Sequence, residues 1–276
     1  MPDPRATNPR VSRLLIGVTW VEVAVLIVAG GGLLLAMPTV VGVWPWSLAP
    51  YNLRFLGGLY TAALVAAYLQ SSQGGWAPGR VVTTMIFVFT LVVSVLSVVH
   101  LGRFEPLRAP SWIWFVLYVG VCVNAGVHLL YYRRLPVVGA APSGTVRAAL
   151  LAQAFVLGTY GLALLVATEF AARLWPWKID TFHAQLYSVA FLAPAAGALA
   201  LRRAAARIDW ATLGLTQLAW GALPIVALVV VDRQARRVVW TDWPVWGWIA
   251  LFATITAMGG WMLSRARANP RRTPPS

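Results

Sequence analysis

VWPWSLAPYNLRF runs from Val43 to Phe55, and LWPWKIDTFHAQL runs from Leu174 to Leu186. One chain thus writes Trp-Pro-Trp twice, 131 residues apart, each time just ahead of a long apolar run. With the chain laid over itself at that offset, nine of the twenty-two positions between Val25 and Trp46 are identical, without a gap. They are Val25, Leu26, Gly30, Leu33, Leu34, Ala36, Trp44, Pro45 and Trp46. Farther on, Ala62, Ala67, Val95, Val98, Val99 and Trp112 also meet identical residues, the last of these being Trp243. Val and Leu matches count for little in an apolar chain. The Trp-Pro-Trp copies and the Trp112/Trp243 pair in the same register carry the inference of an internal duplication.

The composition says what is duplicated. The chain has 276 residues, 59% hydrophobic and 11% charged, with a mean hydropathy of +0.72. Soluble domains carry about 45–50% apolar and about 25% charged residues. The apolar residues gather in eight blocks, near 14–37, 52–70, 81–101, 111–132, 148–170, 182–201, 210–231 and 243–263. Each is close to the roughly 20 residues that a helix needs to cross a bilayer. The blocks are continuously apolar, whereas barrel strands alternate, and backbone groups in hydrocarbon must pair within their own segment. The expected fold is therefore all-α: a polytopic membrane protein of eight transmembrane helices arranged as two parallel four-helix repeats. An even number of spans per half leaves both halves in the same orientation. The expected divisions are a cytoplasmic tail (1–13), a first repeat (14–134), a cytoplasmic linker (135–147), a second repeat (148–264) and a basic cytoplasmic tail (265–276).

The net charge of +14 is not a nucleic-acid footprint, because the basic residues lie between the apolar blocks and not on one face. With the N-terminus inside, fourteen Arg fall on the cytoplasmic side and eight basic residues outside, in the sense of the positive-inside rule. One Lys against 21 Arg suggests a GC-rich bacterial genome, and hence a bacterial plasma (inner) membrane with both termini cytoplasmic. The expected partners are membrane lipids, a small anionic or amphiphilic solute and another membrane protein. No cofactor or metal is expected, since no H-x-x-H, P-loop or G-x-G-x-x-G pattern occurs.

The first motif also resembles a loose set of uncharacterised bacterial multi-pass membrane proteins. These carry an aromatic-Pro-Trp and a Leu-x-Pro ahead of an Arg-x-x-Gly, here Trp44-Pro45-Trp46, Leu48-Ala49-Pro50 and Arg54-Phe55-Leu56-Gly57. The resemblance implies a multi-pass fold and no activity. The second half keeps Trp175-Pro176-Trp177 and has Gln185 where Arg54 stands.

Two sets of residues are candidates for chemistry. Glu22 is the one acid deep in an apolar block, and its counterpart at the 131-residue offset is Gln153. Intramembrane acids face the bundle interior and mark functional sites, so the pair is expected to hydrogen-bond across the halves or to carry a proton or cation. Asn52, Arg54, His100, Glu105 and His183 form a second set at the external helix ends, with Arg54, His100 and His183 expected to line one outward-facing recess. His128 reads as a hydrogen-bonded packing residue. Trp and Pro preferences make Trp-Pro-Trp a headgroup-level anchor and loop stiffener, the alternative being an aromatic wall around a ligand. Three function classes follow: a transporter-like protein handling a small or amphiphilic solute between the repeats, a non-catalytic scaffold or accessory subunit, and a lipid-modifying enzyme with an external-face site.

Overall fold

A computed structural model describes residues 8–267 of the protein. The ends of both expected tails, with Arg5, Arg271 and Arg272, lie outside the described residues. Eight long helices follow in chain order: α1 (Arg13–Leu34), α2 (Pro50–Gln73), α3 (Trp76–Val99), α4 (Ala109–Tyr132), α5 (Gly144–Val166), α6 (Thr181–Leu201), α7 (Arg207–Ala235) and α8 (Trp243–Arg267). Seven of them are long and apolar enough to cross a membrane, which marks a multi-pass integral membrane protein. The exception is α2. It has 24 residues, but Asn52, Arg54 and Gln70 dilute its apolar character. Its place explains that composition, for it packs against α1, α3 and α7 and buries most of its length.

Local chemistry sets the helix ends. The Ser12 hydroxyl accepts from the Leu15 N–H at 3.0 Å, capping α1. Pro50 opens α2 with a backbone angle suited to a first turn, and Gly74, at φ +62°, closes it in the left-handed conformation. The first apolar block stops earlier than expected, because the chain turns at Ala36 (φ +54°) into a short helix, Pro38–Gly42. The fifth block likewise breaks at Ala167 before a short helix, Thr168–Ala172. These two alanines are the pair aligned at the 131-residue offset.

The helices pair in a definite order. Within the first four, α1 packs on α2 and α3 on α4; within the second four, α5 packs on α6 and α7 on α8. Between the two sets α2 packs on α7 and α3 on α6, while α3 and α7 meet between them. Small residues allow the closest approaches. A Cβ on Gly57 of α2 would collide with the backbone of Leu34, and one on Gly30 would stand 3.0 Å from the Thr61 nitrogen. Gly197 of α6 faces Met85 of α3, where a Cβ would lie 2.8 Å from the sulfur.

Short loops at one end of the bundle are tied to the segments ahead of α1 and α5. Arg10 bridges Gly75, and Ala140 bridges Ala205. At the same end Ser12 donates to or accepts from His128 Nε2 at 2.6 Å, and its N–H reaches the Tyr132 hydroxyl at 2.7 Å. His128 Nδ1 meets the Asn124 carbonyl at 2.8 Å, so this ring is a satisfied packing residue.

Gly57→Ala is expected to destabilise the protein by about 1–3 kcal/mol, the usual cost of overpacking. Gly17→Ala, where an added Cβ meets open space, is expected to be neutral. Denaturation midpoints of the two variants in detergent check this, and equal midpoints would contradict the α1–α2 contact.

Candidate functional site at the Trp-Pro-Trp end

Both Trp-Pro-Trp loops fold inward. Trp44, Trp46 and Trp175 are only 8%, 8% and 5% exposed, so the expected headgroup-level anchor is corrected: the rings are part of the core. Each motif's second Trp finds a polar partner in the other half, whereas the indole N–H groups of Trp44 and Trp175 are buried without one. Trp46 Nε1–H donates to His183 Nε2 at 3.2 Å, and Trp177 Nε1–H donates to Asn52 Oδ1 at 2.7 Å. Donors and acceptors of these two bonds are each separated by 131 residues. The rings cross over as well. Trp46 meets Phe182 edge-on at 5.1 Å, and Trp177 stacks on Tyr51 at 5.3 Å, again counterparts at the same offset.

Beneath the loops the two halves interlock. Phe55 of α2 is enclosed by Trp175, Trp177, Tyr187, Trp220, Trp248 and Phe252, with ring centroids 4.6–6.4 Å away. Such aromatic pairs contribute about 0.5–1.5 kcal/mol each beyond the area they bury.

Arg54 does not join a recess. Its guanidinium donates to the Leu34 carbonyl at 2.6 Å, satisfying the open end of α1. Gln185, standing where Arg54 does in the second half, donates to the Leu165 carbonyl at 2.9 Å, and Leu165 is the counterpart of Leu34. Two chemically different side chains thus do the same work. His100 meets Gln185 Oε1 at 2.6 Å and packs on Phe182, while Glu105 pairs with Arg108 at 3.7 Å on an exposed loop. The expectation that Arg54, His100 and His183 line one recess is therefore corrected. A carbonyl and an amide oxygen, both stronger needs in a buried setting than an open cleft, take the first two.

A recess of about 340 Å³ does open here, lined by Ser47, Ala49, Asn52, Lys178, Asp180 and His183. Asp180 anchors it. Its carboxylate caps α6 by accepting from the His183 N–H at 2.9 Å, holds His183 Nδ1 at 2.7 Å and pairs with Arg103 at 3.2 Å. Burial works against this charge, but the His183 amide, the His183 ring and Arg103 outweigh it and hold the carboxyl below its ordinary range. An indole N–H can only donate, so His183 Nε2 is the bare nitrogen and Nδ1 carries the proton toward Asp180. Both ring nitrogens are committed, and His183 is not free to take a proton from a substrate. The recess offers binding groups: the Lys178 cation, the Asn52 amide, the Ser47 hydroxyl and the Asp180 carboxylate.

Glu22 and Gln153 are not brought together. Gln153 gives its amide to Gln217 Oε1 of α7 at 2.8 Å. Glu22 lies half-buried on α1, which faces α2 and α4; on those two helices Tyr60 and Tyr118 share a 2.8 Å hydrogen bond. Equivalent depth is not adjacency when α1 and α5 lie on outer flanks of the bundle.

Sequence reasoning passed over Asp232. This buried carboxylate accepts from the Tyr51 hydroxyl (2.7 Å), Trp240 Nε1 (2.8 Å) and the N–H groups of Arg237 and Val238 (2.9 Å each). It fastens the α7–α8 turn to the first turn of α2. An acid near the end of an apolar block, with Arg neighbours on both sides of the turn, reads as a loop charge, and nothing local distinguishes it. Comparison with protein-family models, with curated proteins and with solved structures finds no match.

Trp46→Phe strands His183 Nε2 and Trp177→Phe strands Asn52 Oδ1. Each is expected to cost about 1–3 kcal/mol, the penalty for a buried group left unpaired. Denaturant titration of the detergent-solubilised variants measures it; losses under about 0.5 kcal/mol in both, the range of an ordinary surface change, would mean that the crossed bonds contribute no stability.

Proposed function

We propose that the chain is an eight-span protein of the bacterial plasma membrane, made of two parallel four-helix repeats with both termini cytoplasmic, acting as a non-catalytic structural or accessory component. The observation that carries this reading is the closed interface between the halves, where Phe55 sits inside an aromatic cage supplied by the other half. A solute carrier that alternates its access needs a polar site at that interface. Here it is filled with rings.

The repeat reading draws support from several features that exchange under the 131-residue offset: the pairing of α2 with α7 and of α6 with α3, the two crossed indole bonds, and the Arg54 and Gln185 contacts with Leu34 and Leu165. With α2 counted as a span, the eight crossings return both termini to one side. The excess of Arg at that end favours the cytoplasm. A second reading, favoured by the recess with Lys178 at its wall, is that the outward end holds a small anionic or amphiphilic solute. Against an enzyme stands the doubly bonded His183.

The test uses Ala62→Cys in α2 and Ala193→Cys in α6, buried counterparts at the 131-residue offset, each in a Cys122→Ser background. A membrane-impermeant thiol reagent applied to right-side-out and to inverted vesicles is expected to label neither cysteine. Labelling from one face, and from the other under different conditions, would replace the scaffold reading with transport.

A further inference from the structure

The two halves differ at the end of the bundle that holds Arg10 and Arg267. In the first half α1 touches α4, fastened by Ser12 to His128 and Tyr132. The counterparts of those two residues in α8 are Gly259 and Leu263, neither of which can make the clasp. Gly259 instead lets α8 close on α7: an added Cβ would stand 2.6 Å from the Leu218 nitrogen and 2.7 Å from the Gly214 carbonyl. Gly221 makes the same allowance farther along, where a Cβ would run into Thr256. Drawn onto α7, α8 leaves α5, with which it is not packed as α1 is with α4.

The gap is a crevice of about 320 Å³, lined by Thr145, Val146 and Ala149 of α5 and by Met258, Trp261 and Arg265 of α8. Its wall is apolar except at one end. There the Arg265 guanidinium stands 5.3 Å over the Trp261 ring, a placement that holds the cation at the mouth. The crevice lies at the last turn of α8 and the first turns of α5, so it meets the membrane at headgroup depth.

We infer that this crevice between α5 and α8 binds one anionic phospholipid, its phosphate on Arg265 and the upper part of an acyl chain along Val146, Ala149, Met258 and Trp261. The chemistry is complementary at both ends. A guanidinium forks two N–H groups toward phosphate oxygens, and basic pockets between transmembrane helices accept anionic headgroups. The Trp261 indole, apolar in body and polar at one edge, suits the boundary between them. In the first half the equivalent helices are instead joined by the Ser12 clasp to His128 and Tyr132.

The experiment is native mass spectrometry of the full chain in detergent, titrated with phosphatidylglycerol or with phosphatidylcholine. One phosphatidylglycerol is expected to stay bound under activation that strips phosphatidylcholine. Arg265→Gln should weaken it about ten-fold or more, the scale of a hydrogen bond to a charged group. Ala149→Trp, which fills the crevice, should abolish it. Arg133→Gln, removing an equal charge from the same end of the first half, should leave it unchanged. Equal weakening by Arg133→Gln, equal retention of the two lipids, or full displacement by inorganic phosphate would overturn the proposal. Arg265 is exposed, so its variant folds and keeps the test decisive even if Ala149→Trp does not.

Discussion

An indole N–H taken out of water costs free energy unless it finds an acceptor; Trp46 and Trp177 find theirs on the opposite half of the chain, whereas Trp44 and Trp175 bury theirs without one. The two crossed bonds tie the halves together at their rim. The Trp-Pro-Trp loops are pulled down into the bundle and the first turns of α2 and α6 are held close beneath them. The aromatic rings that follow interlock around Phe55. The outcome is an interface stabilised by directional bonds at its rim and by ring packing below. In a bilayer this matters more than in water, because apolar burial alone gives little preference for one helix neighbour over another.

Within this common frame the two halves differ. The first half closes its Arg-rich end with hydrogen bonds from Ser12 to His128 and Tyr132; in the second half Gly259 and Leu263 stand in the places of those two partners, and α8 packs tightly on α7. Prolines inside α6 and α7 occur only in the second half, and Pro224 sits against Gly58, which has no side chain to obstruct it. Asp232 then fixes the α7–α8 turn to Tyr51 of the first half.

Much of this was legible in the sequence and some could not be. Apolar blocks located eight long helices, seven of them long and apolar enough to cross a membrane; α2 is the exception. The ends shifted at Ala36, where Pro38 two residues on marks the break, and at Ala167, where no Gly or Pro stands nearby to signal one. The pairing of Arg54 with Gln185 by offset was visible, but their shared task was not, because the Leu34 and Leu165 carbonyls are backbone groups without a sequence mark. Glu22 and Gln153 were matched correctly by position and wrongly by contact: periodicity gives depth along a helix, not which helix stands opposite. Trp46 was misplaced for a related reason. An isolated Trp prefers the headgroup layer, whereas Trp46 is enclosed by protein and bonded to His183.

The crossed wiring is the central claim, and nitrogen-15 spectra of the tryptophan indoles test it most directly. Asn52→Leu should shift the Trp177 indole signal and raise its hydrogen exchange while sparing that of Trp46; His183→Phe should do the reverse. If each substitution instead disturbs the tryptophan of its own half, the two halves are not joined through these bonds and the account fails.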